Sequence, residues 1–130
     1  MIDVENIVFT NVATVLRVAH TGIFVAGADI AKITSFPACT LREIDNYLRA
    51  RDTTLGIKET AVMIPYQADV YSNLSSGGKA ECKSIIATLD TEMNRMGFRR
   101  TFVGPVANID TSITRMTVRY TKLQTNNTLT

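Results

Sequence analysis

Ser76-Gly77-Gly78-Lys79 is the first stretch whose residue types could do chemistry. Glycines that bare backbone N–H groups ahead of a helix, followed by a lysine, are the parts of a phosphate cradle. The rest of that pattern is missing. With Gly78-Lys79 as its Gly-Lys pair, the leading glycine position holds Asn73, and Ala80 replaces the hydroxyl that would reach magnesium. A glycine-rich helix start accounts for the stretch better. Carboxylates come next: Glu43 and Asp45 stand two apart on an expected strand, hence on one face, and Asp69 on a neighbouring strand could join them in holding a cation or in acid-base work. An exposed polar face explains the same three residues without an ion. The sequence has no nucleophile elbow, histidine-centred triad or dinucleotide fingerprint, so neither an enzyme nor a cofactor or metal is expected.

Cys39, Cys82 and the single histidine, His20, are too sparse for a disulfide framework or a zinc site. Two small buried thiols in a reducing compartment are expected instead. His20 falls at the end of an expected helix, where its ring could bond the last carbonyls and complement the dipole.

The arginines carry more. Arg115 and Arg119 share the strand face opposite Met116, Val118 and Tyr120, and Arg99 and Arg100 lie on the expected preceding strand. Up to four guanidinium groups could thus share one sheet region. Their forks suit carboxylate and phosphate alike, so a solvated face, a protein interface and a nucleic-acid surface all remain open. Phe98, Phe102 and Tyr120 are better spent in a core than as base-stacking platforms. The net charge of +2 hides an asymmetry: residues 95–130 hold six basic side chains against one acidic, while residues 1–48 hold three against five. Such a gradient fits a polyanion or a charged protein partner.

These residues must be positioned by the elements around them. Apolar residues at Val4, Val8, Val12, Val15, Leu16 and Ala19 give residues 3–19 a helical stripe, with Asp3 as N-cap. Thr21-Gly22 stops it, Ile23-Phe24-Val25 reads as a short strand, and residues 28–37 are ambiguous. After Ser35-Phe36-Pro37, residues 38–46 read as a strand. Residues 49–59, with Arg49, Arg51, Asp52 and Lys58, form a long polar connection of the kind that serves as an interaction arm. Residues 60–73 alternate most clearly, and Pro65 implies an edge, a bulge or an unpaired point. A turn over 72–78 leads into a second helix to about Met96, ended by Gly97. A strand over 98–103, turned by Gly104-Pro105 and residues 108–110, precedes a final strand over 112–123.

The order predicts an α+β domain: a mainly antiparallel sheet of four to five strands with two amphipathic helices packed on one face. One domain over residues 1–123 with a flexible tail, 124–130, is expected from a chain of 130 residues, 45% hydrophobic and 20% charged. The longest charge-free apolar runs, such as 22–28, are far short of the ~20 residues of a spanning helix, so no membrane passage is expected. Acids at the N-terminus, where a secretory signal would carry basic residues, point to the cytoplasm.

The chain resembles the tail terminator, or tail completion, proteins of long non-contractile-tailed bacteriophages, a head-tail joining family. The likeness rests on Met1-Ile2-Asp3-Val4-Glu5-Asn6, Ser35-Phe36-Pro37, Tyr66-Gln67-Ala68-Asp69-Val70-Tyr71-Ser72-Asn73, Ala80-Glu81-Cys82, Met96-Gly97-Phe98 and Arg115-Met116-Thr117-Val118-Arg119-Tyr120. The resemblance implies a homo-oligomeric ring, hexameric, at the head-proximal end of the tail tube. It would meet the tail tube protein on one side and the head connector or stopper on the other, with genome DNA passing through the lumen without specific binding. The implied location is the head-tail interface of a virion assembled in the host cytoplasm. Residues 49–59 (Arg49, Arg51, Asp52, Lys58) and Arg99, Arg100, Arg115 and Arg119 are the expected contacts to neighbouring subunits, tube or connector. Another neck protein, an adaptor or stopper, is the nearest alternative, and a nucleic-acid-binding module a further one.

Overall fold

A computed structural model of the chain describes residues 3–27, 33, 35–45, 47–48, 62–107 and 112–124. It is an α+β fold in which helices α1 (Glu5–Ala19) and α2 (Gly78–Arg95) lie on one face of a mixed sheet. The strands are β1 (Phe24–Ala26), β2 (Ala38–Glu43), β3 (Tyr47–Leu48), β4 (Val62–Ser72), β5 (Arg99–Pro105) and β6 (Thr114–Gln124). They run in the order β1-β2-β4-β6-β5, with β3 pairing β4 off that path. Most pairs are antiparallel, as expected. The exception is β1, which runs parallel to β2 with Phe24 opposite Ala38.

The sheet's helix-side face carries the core. Val62, Ile64, Tyr66, Ala68 and Val70 alternate along β4, with Cys39 and Leu41 to one side and Met116, Val118 and Tyr120 to the other. Over them α1 lays Val8, Val12, Ala13 and Leu16, and α2 lays Cys82, Ile85, Ile86, Leu89 and Met93. Among the described residues no helix is long and apolar enough to cross a membrane.

Several expectations are refined. Helix α1 begins at Glu5 with Val4 as its cap residue, and the Asp3 carboxylate still accepts the Glu5 N–H at 3.1 Å. Pro65 sits on a central strand, at an unpaired point. Ile44 N–H donates to the Pro65 carbonyl at 2.9 Å, but proline has no N–H to return the bond, so the β2–β4 ladder ends at Glu43. When pairing resumes, Tyr47 faces Met63: four residues on from Glu43 meet a position three back from Tyr66, a shift of one. Gly104-Pro105 does not turn the chain, because both continue β5 opposite Thr117 and Met116. Gln124, placed by sequence in a flexible tail, is the last residue of β6, buried and opposite Val62, and residues 125–130 lie outside the described residues. The connection at 49–59 and the turn at 108–110 lie outside the described residues.

The end of α2 shows why Gly97 is needed. At φ 92° it lets its own N–H reach the Asn94 carbonyl at 3.0 Å and the Phe98 N–H reach Met93 at 2.9 Å, the two bonds of a Schellman close. Lys122 Nζ then donates to the Met96 carbonyl at 2.6 Å, covering an orphan acceptor from β6.

Candidate functional site

The sheet face opposite the helices carries the polar chemistry. On β4 the residues facing that way are Met63, Pro65, Gln67, Asp69 and Tyr71, and register places Arg115, Thr117, Arg119, Thr121 and Leu123 of β6 beside them. Thr117 Oγ1 donates to Asp69 Oδ1 at 2.5 Å, and Arg115 reaches the same oxygen through Nη2 at 3.1 Å and Nε at 3.3 Å. Gln67 Nε2 donates to Asp69 Oδ2 at 3.3 Å and its Oε1 accepts Arg119 Nε at 3.1 Å. One ladder, Arg119–Gln67–Asp69–Arg115/Thr117, thus spans β4 and β6. Aromatic rings lie under both of its guanidinium groups, Tyr71 under Arg115 at 5.6 Å and Phe102 under Arg119 at 5.8 Å.

The arginines do not converge as one group of four. Arg99, opposite Thr121, shares this face, but Arg100 is opposite Tyr120 and points to the helix side. There Arg100 Nη1 donates to Asp90 Oδ2 at 2.6 Å, and the Tyr120 hydroxyl donates to the other oxygen of the same carboxylate. Strand alternation is the reason: neighbouring residues on one strand cannot face the same way. The extra residue Thr101, at the register break between Arg100 and Phe102, restores the helix-free face to Phe102. Phe102 is therefore 46% exposed and outside the core expected for it. Arg49, Arg51, Asp52 and Lys58 lie outside the described residues.

The carboxylate cluster also disperses. Glu43 pairs with Tyr66 on the helix side, Asp69 lies on the opposite face bound to Arg115 and Thr117, and Asp45 is beyond the end of β2. Among the described residues no group of histidine, cysteine and carboxylate side chains could hold a metal. The glycine-rich stretch has a packing role. Gly77 takes φ 82° as the residue before α2, and a Cβ on Gly78 would meet Thr114 Oγ1 at 2.8 Å. Ser72, just before the loop, donates to Glu81 Oε1 at 2.5 Å and fastens strand to helix.

Both thiols are buried. Burial, with the Asp69 charge second, pushes Cys39 up to about 12, and burial followed by Glu81 pushes Cys82 to about 11, so each stays a thiol at neutral pH. His20 caps α1 with its backbone N–H, bonded to Leu16, while its ring Nε2 is hydrogen-bonded with Thr88 Oγ1 of α2 at 2.9 Å. The ring joins the two helices and does not bond α1's own carbonyls. Sequence reasoning missed Gln67 and Asp90. The signal for Gln67 was its place between Asp69 and Pro65 on one face of an obvious strand.

No protein-family model matches the chain, and no curated protein does either.

Proposed function

We propose that the chain is a structural virion subunit that forms a closed ring, six-fold, at the head-proximal end of a phage tail tube. There it would stop tube growth, offer the surface to which the head connector docks, and perform no catalysis. The observation that carries this reading is the charge polarity across the sheet. Asp3, Glu5, Glu43 and Asp45 lie at the start of α1 and the end of β2, with the single basic Arg42 among them on β2, whereas Arg99, Arg119 and Lys122 lie on β5 and β6 beside the Arg100–Asp90 pair. From β2 to β5 there are three strand spacings, roughly 14 Å at ~4.8 Å each. Two unlike, oppositely charged edges on one subunit suit a head-to-tail contact, and repeating such a contact by rotation closes a ring. Six copies then act together on the tube end, so modest single contacts sum to strong attachment.

The test is the mass of the purified protein in solution and its negative-stain image, alone and on tails. Rings, together with overlong or polydisperse tails when the protein is absent, are expected. Normal-length tails that fail to join heads would move the ring to a neck adaptor or stopper. A monomer at every concentration, or virions without it at the head-tail junction, would end the proposal.

A further inference from the structure

Phe102 of β5 stands on the helix-free face, and no other aromatic ring among the described side chains is as exposed. A Cβ on Gly104 would meet Phe102 Cζ at 3.2 Å, so the ring lies along its strand over a residue that has no side chain. Arg119 of β6 stacks on that ring and spends Nε on Gln67, and among the described residues no carboxylate pairs with its guanidinium. Ring and cation together form an outward knob. The bulge at Thr101 and Pro105, which has no N–H, break the outer edge of β5 for strand pairing, so a contact on this side is made by side chains.

A groove of about 270 Å³ opens between the start of α1, the end of β1 and β2, lined among the described residues by Glu5, Asn6, Phe9, Gly27 and Leu41. Phe9 and Leu41 make it apolar, and Glu5 is its one charged lining residue, exposed on the first turn of α1. The charges of Glu43, Glu5 and Asp3 all raise the buried Tyr66 hydroxyl, which puts the three carboxylates at the same end of the molecule.

We infer that the Phe102–Arg119 knob of one copy enters the groove of the next, its ring against Phe9 and Leu41 and its guanidinium against Glu5. This rests on the ring reading and names the parts of two copies that touch. Charge complementarity selects the occupant: the groove is apolar with one carboxylate at its side, and the knob is apolar with one cation on its face. Three strand spacings, roughly 14 Å, separate β5 from β2, so a knob does not fill the groove of its own copy. Each copy therefore offers one knob and one groove. Contact between two unlike surfaces, repeated from copy to copy, is the heterologous kind that closes a ring by rotation. An aromatic ring and an arginine are also the side chains that most often carry the energy of a protein contact.

Sedimentation velocity of the full chain tests the pairing, with melting curves to check folding. Phe102→Ser, at an exposed ring outside the core, should weaken association at least about tenfold with little change in the melt. Glu5→Arg and Arg119→Glu should each weaken it as much. The double variant, and an equimolar mixture of the two single variants, set each reversed charge against its opposite and should regain most of the loss, which a merely structural role would not produce. Wild-type rings that Phe102→Ser and Glu5→Arg leave intact would overturn the inference and leave the ring reading standing. So would single variants that weaken association with no recovery in the double variant. A wild-type chain that stays monomeric at every concentration would end both. Variants that lower the melting curve and leave association unchanged would put another part of the same chain in the groove, and a DNA oligonucleotide that displaces the second copy from Arg119 would give the knob to a polyanion; either overturns the inference.

Discussion

Asp69 is the residue on which the helix-free face turns, since it accepts from Thr117, Arg115 and Gln67 at once while only 5% exposed. Asp69→Ala should cost about 2–4 kcal/mol in urea unfolding, because three donors lose their acceptor in a buried setting. Asp69→Asn, which keeps one oxygen, should cost less. Tyr66 is the reverse case, a buried hydroxyl with no hydrogen-bond partner among the described residues, facing the charges of Glu43, Glu5 and Asp3. Tyr66→Phe should leave stability unchanged or raise it by up to about 1 kcal/mol, and a clear loss in the melt would mean the hydroxyl is bonded after all. The alkaline limb belongs to the same scale. Cys39 and Cys82 ionise at the ordinary 9.0 when unfolded but near 12 and 11 when folded, and Tyr66, Tyr71 and Tyr120 are raised from 10.0, mainly by burial. The folded state thus holds protons the unfolded chain has shed. Their contribution is complete below pH 9 and is lost as pH climbs toward 12, at about 1.4 kcal/mol per pH unit for each such proton. Lys122, lowered by burial from 10.5, opposes the trend by at most one proton. Urea midpoints measured from neutral pH upward should fall beyond pH 9, less steeply in Cys39→Ala; a flat profile would contradict this.

At the scale of elements, the glycine-rich start of α2 is a joint between helix and sheet. Gly78→Ala puts a methyl 2.8 Å from Thr114 Oγ1 and 3.3 Å from its Cβ, and β6 is held there by its ladder to β4. A loss of about 1–3 kcal/mol is expected from the overpacking, visible as a lower thermal midpoint. Gly78→Ala with Thr114→Ser, which removes the Thr114 methyl but keeps its hydroxyl, should recover little; Thr114→Ala should recover more. Both helices, the long central strand and the last strand were legible in sequence, because their apolar residues repeat at 3.6 or at 2 and nothing local contradicts the period. Ends were less legible. Asp3 was a reasonable N-cap, but the chain starts its helix one residue after Val4, whose side chain the core takes. Gly104-Pro105 has turn chemistry, yet an edge strand tolerates a proline because one side of it needs no N–H.

For the whole molecule, the two arginines expected to act alike separate. Arg115 is bound to a buried carboxylate, so Arg115→Glu should destabilise the domain itself and cannot report on assembly. Arg119 is exposed, bonded to a neutral amide and stacked on the exposed Phe102. If the ring proposal is right, Arg119→Glu should weaken subunit association in light scattering while costing the domain about 1–2 kcal/mol, the loss of the bond to Gln67, and Arg119→Gln should weaken association at a smaller cost to the melt. Unchanged rings would remove Arg119 from the contact. The α+β class, the two helices on one face, the helix stripes and the buried thiols were all readable from residue order, since these follow from local periodicity and from what water excludes. Which charges meet became visible only in the folded chain. Pairing Asp69 with Thr117 and Arg115, sending Arg100 to Asp90 and running β1 parallel to β2 all depend on register and strand order. Those are contacts between residues tens of positions apart, and no local propensity encodes them.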